Sequence, residues 1–380
     1  MIQTYSTTIR RKEMDAVLTC MVDEKIGPGE LNERFIQTAK EFFGCDGAVA
    51  LRTPASALKY ALRALDFPAG ESIMISALAP AWHYQAVVDL GYKPLVLDVD
   101  ENSGLVTANI VKAGIENGGR LLILRESMGI LPDIDEILAL GIPVIEDVSE
   151  SAGAFFPTFD ENLNPVEARK AGSLGVYTIF GLEEHDVVTA GGGALLLAPN
   201  RREWIVLKKF VDAMPKTELL PDLNCALGWV QLKEFKYNEL SRKKIYSLYQ
   251  RACMSSRHKM FVRSSGAVLP ELKGVAAPAT VSKTEDSNET QENYDYSSTM
   301  CCFPLVLTSS FKDIKQYAAK KDIEIRQAYE DSVIALKQDE LSDSCIKAKS
   351  LYLRCALIPL YPRLTHSQVA KIVKVLGTLP

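Results

Sequence analysis

The stretch YTIFGLEEHDVVTAGGGALLL, residues 177–197, contains the pattern that decides the fold. Two apolar segments typical of buried strands flank a short charged loop and three consecutive glycines, Gly191 to Gly193. His185 lies in the charged loop, and no lysine occurs between Lys170 and Lys208. The pattern predicts two strands joined by a loop, and the side chain presented by that loop decides which chemistry is possible.

Outward from this stretch, apolar runs alternate with helical patterns over the first half of the chain. The runs GAVALRT, ESIMISA, KPLVLDVD, RLLILRES and IPVIEDVS predict strands, whereas ASALKYALRALD and AWHYQAVVDLG predict helices. Such alternation is typical of an α/β fold with a mostly parallel sheet. Functional side chains are then expected at the carboxyl ends of the strands.

The pattern changes in the second half. From about Pro221 the chain reads as helical, and a small α+β unit follows, with a strand at CCFPLVLTS, a helix at SFKDIKQYAAKKD and a strand at IEIRQAY. Thr365 and Gln368 form a capping box that predicts the start of the last helix. We therefore predict a large domain over 1–240 and a smaller C-terminal α+β domain over 241–380, with a polar surface insertion near 281–299.

Composition excludes several classes of partner. The 380 residues are 47% hydrophobic and 24% charged, as in ordinary globular proteins, and the formal net charge is −5. This charge argues against nucleic acid as a partner. The sequence contains no run of 18 apolar residues and no signal-peptide pattern, so we expect a cytoplasmic protein with no membrane partner. Eight scattered cysteines, of which only Cys301 and Cys302 are adjacent, predict reduced thiols and neither a metal site nor disulfides.

Several segments, in this order, resemble the DegT/StrS group of sugar aminotransferases, which are pyridoxal-phosphate (PLP) proteins of fold type I. The segments that carry the resemblance are EKIGPGELNERF, GAVALRTPASALKYAL, GYKPLVLDVD, PVIEDVSESAGA, GSLGVYTIF with TAGGGALLL, and ALIPLYPRLTHSQV. They span nearly the whole chain. The resemblance implies a fold type I architecture, a homodimer, a nucleotide-sugar ligand, and a role in nucleotide-sugar or polysaccharide biosynthesis.

The resemblance also assigns residues to the ring of the cofactor. Asp147 stands where the family's aspartate meets the pyridine nitrogen, although it could instead cap the following helix. Glu150 stands where the family usually has glutamine and would place a second carboxylate near the ring, unless it is a solvated helix residue. Of the neighbours Trp82, His83 and Tyr84, one could supply the aromatic ring that stacks on the cofactor, although a role as core or substrate-facing aromatic residues is favoured.

The turn that binds the cofactor phosphate in the family is altered here. Thr53, Pro54 and Ala55 replace a Ser-Gly-Thr turn, and proline has no N–H while alanine has no hydroxyl. Thr53 as N-cap and Pro54 at the first helical position nevertheless predict a good helix start. Ser56 and the more distant Arg52 could compensate for the lost donors, and Thr178 could replace a family serine that touches the phosphate.

His185 falls on the family's lysine when positions are counted back from Gly191. Imidazole cannot form the aldimine that holds PLP covalently, so any PLP or pyridoxamine phosphate (PMP) would bind non-covalently, or not at all. The first interpretation is a relative that is altered or inactive as a transaminase, with His185 as a residual loop residue. The alternatives are a PMP-dependent 4-keto-6-deoxy-sugar 3-dehydratase with His185 as catalytic base, an ordinary sugar aminotransferase using another lysine, and a binding or regulatory protein.

Overall fold

The structure is a computed structural model that describes residues 1–159, 165–254, 256–262 and 297–380. Most of the polar insertion predicted near 281–299 lies outside these residues. Within the described residues, no helix is both long enough and apolar enough to cross a lipid bilayer. The predicted domain boundary between residues 240 and 241 stays a prediction.

Twelve strands are found in the described residues. In chain order they are β1 Gly47–Leu51, β2 Ser72–Ser76, β3 Lys93–Leu97, β4 Gly119–Arg125, β5 Val144–Asp147, β6 Phe155–Phe159, β7 Pro165–Lys170, β8 Tyr177–Gly181, β9 Ala194–Ala198, β10 Phe303–Val306, β11 Arg326–Gln327 and β12 Cys355–Ile358.

The α-helices of the same residues cover both faces of the larger sheet and form the C-terminal unit. They are α1 Arg11–Val22, α2 Glu30–Phe43, α3 Pro54–Leu65, α4 Ala81–Asp89, α5 Ala108–Glu116, α6 Ile134–Leu138, α7 Arg201–Asp212, α8 Asp222–Lys233, α9 Phe235–Cys253, α10 Phe311–Ala319, α11 Val333–Leu336, α12 Gln338–Leu341, α13 Ile346–Arg354 and α14 His366–Leu376.

Seven strands form the central sheet in the order β1-β9-β8-β5-β4-β2-β3. β9 runs antiparallel to β1 and β8, whereas the other neighbours are parallel. Alternate residues of β4 face opposite sides: Leu121 and Ile123 pack in one core cluster, and Leu122 and Leu124 in another. The prediction of an α/β fold with a mostly parallel sheet is therefore confirmed.

The stretch 177–197 folds as β8, a loop and β9. The two strands pair antiparallel from Thr178 opposite Leu197 to Gly181 opposite Ala194. The three glycines all have positive φ, and a Cβ on Gly193 would lie 2.5 Å from Leu220 Cδ1. This conformation and close packing explain the glycines at the end of the loop.

The C-terminal unit is built on a three-stranded antiparallel sheet in the order β10-β12-β11. The strand predicted at IEIRQAY is only two residues long, because the chain turns at Tyr329, which has a φ of 63°, and Ser332 then caps α11. The predicted capping box of α14 is present, with reciprocal bonds between Thr365 and Gln368.

Candidate functional site

The candidate site lies at the carboxyl ends of two neighbouring parallel strands, β4 and β5. Arg125 is the last residue of β4, Asp147 the last of β5, and they are opposite each other in the β4–β5 register. Register partners on neighbouring parallel strands project to the same face of the sheet. Strand order and register thus place a guanidinium beside a carboxylate where ligands bind in open α/β sheets.

Arg125 and Asp147 form a buried ion pair. Arg125 Nη1 lies 2.7 Å from Asp147 Oδ2, and Arg125 Nη2 lies 3.1 Å from Glu150 Oε1. The side chains of Arg125 and Asp147 are 7% and 0% exposed, whereas Glu150 keeps 28% of its surface exposed. Burial lowers the pKa of Arg125, but the facing carboxylates raise it by more than burial lowers it. The guanidinium therefore stays charged.

Asp147 has a full set of partners. His83 Nε2 lies 2.8 Å from Oδ2, and the Ser149 hydroxyl and backbone N–H both donate to Oδ1, at 2.5 and 3.1 Å. Burial raises the pKa of Asp147, yet the Arg125 charge and the His83 hydrogen bond outweigh burial and hold that pKa well below its usual range. Asp147 is therefore a stable anion.

His83 is fully buried and acts as a neutral donor. Burial lowers its pKa more than Asp147 raises it, so the imidazole carries no charge near neutral pH. Its Nε2 then carries the proton that is donated to Asp147, and Nδ1 has no hydrogen-bond partner. His83 thus supports the Asp147 anion without neutralising it.

Above this ion pair the structure has a cleft of about 540 Å³. Acidic side chains dominate the charged part of its lining: Glu150, Glu183, Glu184, Asp186, Glu330 and Asp331. The basic lining residues are Arg125 and Arg326, and none of the described lining residues is a lysine. The described His, Cys, Asp and Glu side chains do not form any group of three or more that could hold a metal.

Asp186 is the cleft carboxylate with the most altered acidity. It keeps part of its surface exposed, and its Oδ2 accepts the backbone N–H of Glu183 at 2.8 Å. Burial, with the charges of Asp147 and Glu150, raises its pKa to about 7 against the opposing effect of Arg125. The charge of the cleft therefore changes near neutral pH.

His185 lies at the rim of this cleft. Its ring stacks on Tyr5, with centroids 4.1 Å apart and an interplanar angle of 12°. The guanidinium of Arg326 lies 5.7 Å from the Tyr5 ring centroid. The N-terminal segment thus joins the β8–β9 loop to the C-terminal unit at this rim.

The other residues assigned from the sequence do not all reach the cleft. Of the turn at the start of α3, only Pro54 lines it. Thr53 caps α3 as predicted, with its Oγ1 accepting the Ser56 N–H at 3.0 Å, and Ala55 and Ser56 are partly exposed in the first turn. Thr178 is buried outside the lining, and its hydroxyl donates to Gly172 O at 2.8 Å.

Arg125 and the role of His83 were not identified from the sequence. The pattern RLLILRES predicts a strand, but the role of an arginine at its end depends on which strand lies beside it. The sequence offers His83 as a stacking, core or substrate-facing aromatic residue, whereas in the structure it contacts Asp147 from α4. An arginine and an aspartate that each end an apolar strand are the signal that could have indicated the pair.

Comparison with known proteins identifies the family of this chain. The model of the DegT/DnrJ/EryC1/StrS aminotransferase family matches residues 7–377. The chain belongs to this family. The match covers nearly the whole sequence, so the predicted DegT/StrS resemblance is confirmed at the level of family and fold.

Solved structures similar to this DegT/DnrJ/EryC1/StrS family member include TlmJ, an aminotransferase from Streptoalloteichus hindustanus. TlmJ is 16% identical with a TM-score of 0.80, and the match covers 100% of this chain and 98% of TlmJ. Spr1654 of Streptococcus pneumoniae, described as a sugar aminotransferase and solved in its PMP form, is 16% identical with a TM-score of 0.78, covering 98% and 97%. A GDP-4-keto-6-deoxymannose-3-dehydratase variant with bound GDP-perosamine is 15% identical with a TM-score of 0.76, covering 99% and 100%. At these identities the likeness establishes the fold.

The cofactor implied by the family can be tested against the residues present. A ring nitrogen on Asp147 would need the carboxylate oxygen that Arg125 and His83 occupy. The Thr53 hydroxyl is engaged by its own helix, and Pro54 offers no N–H to a phosphate. The described residues of this site therefore do not fit PLP held as the family resemblance implies.

Proposed function

We propose that this family member does not catalyse PLP-dependent transamination and instead binds a sugar-containing ligand in its cleft, within nucleotide-sugar or polysaccharide biosynthesis. The observation that carries the proposal is the buried ion pair between Arg125 and Asp147. It uses the carboxylate that the resemblance assigns to the cofactor's ring nitrogen. His185 at the inferred lysine position supports the same proposal, because imidazole cannot form an aldimine.

The energetics of the ion pair oppose displacement by a cofactor. A ring nitrogen that displaced Arg125 from Asp147 would leave the guanidinium buried against Glu150 alone. Breaking a buried ion pair costs roughly 3–5 kcal/mol. The binding energy of the cofactor would have to exceed this cost without a covalent bond and with a turn that has lost phosphate donors.

The lining of the cleft is compatible with a sugar. Carboxylates such as Glu150 and Glu183 accept hydrogen bonds from hydroxyl groups, and Trp82 and Tyr5 supply aromatic surface. Arg326, with 44% of its side chain exposed, is available to a phosphate of a nucleotide-linked sugar. The names of similar proteins, a sugar aminotransferase and a dehydratase with bound GDP-perosamine, point to the same ligand class.

A PMP-dependent 3-dehydratase is the second candidate function. The observation in its favour is that His185 lines the cleft, where it could remove a proton from a sugar carbon. An ordinary aminotransferase is less compatible, since it requires a lysine, and none of the described residues lining the cleft is one.

Adding PLP and PMP separately to the purified protein tests the proposal. We expect no aldimine absorption band with PLP and no increase in melting temperature with either compound, because Asp147 is already paired. His185→Lys should still give no aldimine band for the same reason, and His366→Lys, at the start of α14, is the matched control for an added lysine. Stabilisation by PMP without an aldimine band would favour the dehydratase, and an aldimine at residue 185 would refute the proposal.

A further inference from the structure

Three sulfur atoms from distant parts of the sequence meet in the wall of the cleft. Cys301 Sγ lies 3.6 Å from Cys302 Sγ, and Cys302 Sγ lies 3.6 Å from Met128 Sδ. All three residues line the cleft, and both cysteines are half-buried, whereas the other six cysteines are buried. We refer to Met128, Cys301 and Cys302 as the sulfur cluster.

The backbone on the Met128 side is held in place. Met128 has a φ of 59°, and its N–H donates to Glu150 Oε2 at 2.5 Å. Gly129 packs directly against Thr299, where an added Cβ would lie 1.9 Å from the carbonyl oxygen. An unbranched, non-glycine residue in the left-handed region is strained, and such strain is concentrated at functional sites.

The backbone on the cysteine side is held as firmly. The Thr299 hydroxyl donates to Ala152 O at 2.9 Å, and the Met300 N–H donates to Glu239 Oε1 at 2.7 Å. Both hydrogen bonds are buried. Consecutive side chains of a regular strand would face opposite sides, but Cys301 and Cys302 precede β10, where the backbone bends, so both reach the cleft. The cluster is thus preorganised from two directions.

Cys302 Sγ is in van der Waals contact with both other sulfur atoms, which is close enough for one ion to bridge them. A disulfide would need about 2.05 Å between the sulfur atoms, far less than the observed separation. Two sulfur ligands at about 2.3 Å from a metal, at a tetrahedral angle, would be roughly 3.8 Å apart. Both separations of 3.6 Å are close to this value. Thiolate and thioether donors together select soft ions, of which Cu(I) is the representative.

We propose that the sulfur cluster is a binding site for a soft monovalent cation of the Cu(I) class. Binding forms two metal–thiolate bonds and one metal–thioether bond, and the two thiol protons leave to solvent. The ion stays monovalent, so no oxidant or reductant is consumed. Arg326, which also lines the cleft, offsets part of the negative charge gained by the site. This site is independent of the proposed function, because it uses none of the residues that argue against PLP.

Titration of the reduced full-length protein with Cu(I), under anaerobic conditions and against a chromogenic Cu(I) chelator, tests the site. We expect one tightly bound ion per chain. Cys302→Ser, which removes the central sulfur, should weaken binding by roughly 100-fold, and Met128→Leu by roughly 10-fold. Cys20→Ser and Met254→Leu are the matched controls, since Cys20 is buried elsewhere and Met254 is 82% exposed.

Other results of these experiments would refute the proposal. It fails if the Cys302→Ser variant, shown by circular dichroism to be folded, binds Cu(I) as tightly as the wild type. It also fails if the control variants lose as much affinity for Cu(I) as the cluster variants. It also fails if mass spectrometry of the protein as purified, before any reductant is added, finds a disulfide between Cys301 and Cys302. Phenylarsine oxide, which needs two thiols but no thioether, should bind Met128→Leu normally and Cys301→Ser poorly. Loss of phenylarsine oxide binding in Met128→Leu would show a folding effect and would overturn the assignment of the thioether as a ligand.

Discussion

Replacing Arg125 with methionine is expected to lower the free energy of unfolding by about 3–5 kcal/mol. Arg125 is 7% exposed and is the cation that faces the buried Asp147, which is 0% exposed. Methionine preserves much of the side-chain volume but leaves the Asp147 anion with neutral donors only, His83 and Ser149. The predicted cost is therefore that of an uncompensated buried charge, measured by urea unfolding at neutral pH.

Two further variants separate this charge effect from lost packing. Arg125→Met combined with Asp147→Asn should recover part of the loss, because it removes the unpaired anion. Arg326→Met is the matched control: Arg326 lines the same cleft but its side chain is 44% exposed, so the change should stay within about 0.5 kcal/mol. A loss of less than about 1 kcal/mol for Arg125→Met would mean that the ion pair does not stabilise the site.

The second large effect concerns the pH dependence of stability, and it arises from Glu126 beneath the site. Glu126 is fully buried, and its Oε2 accepts the Ser151 hydroxyl. Burial, followed by the charge of Glu146, raises the pKa of Glu126 well above 4.5. Glu146 carries the charge more easily, since it accepts N–H groups from Gly172 and Leu174 at 2.9 and 2.8 Å. A proton on Glu126 Oε1, which has no donor facing it, can be donated to Glu146.

The sign of the effect follows from proton binding. Above pH 4.5 the unfolded chain loses the Glu126 proton while the folded protein keeps it, so stability falls as pH rises until the folded pKa is passed. Each unit of raised pKa corresponds to about 1.4 kcal/mol. Glu126→Gln keeps a neutral donor and should lose less stability than the wild type as the pH rises above about 5.

Urea unfolding of both proteins across this pH range provides the measurement. Glu116→Gln, at an exposed position at the end of α5, is the matched control and should parallel the wild type. Curves for Glu126→Gln and the wild type that run parallel would show that Glu126 is ionised in the folded protein.

Sequence patterns predict the architecture well, because each strand and helix start is specified by local periodicity and neighbouring residues. The strand at PVIED, the cap at Thr53 and the capping box at Thr365 are each specified by neighbouring residues, and each is present. The position of Asp147 at a strand end was likewise readable, since alternation of strands and helices predicts which ends meet.

The partners of Asp147 could not be predicted from the sequence in this way. Arg125 becomes its partner only through the β4–β5 register, and His83 reaches it from α4 by tertiary packing. The sulfur cluster is even harder to predict from the sequence, because 174 positions separate Cys302 from Met128. Such contacts depend on strand order and helix placement, which periodicity does not specify. The assigned role of His185 stays a prediction for the same reason.

A crystal structure of the protein grown with saturating PMP would test the central claim most directly. We predict that Arg125 Nη1 remains within hydrogen-bond distance of Asp147 and that no ring density lies against that carboxylate. A pyridine nitrogen bound to Asp147, with Arg125 displaced, would contradict the claim that this ion pair has replaced the cofactor.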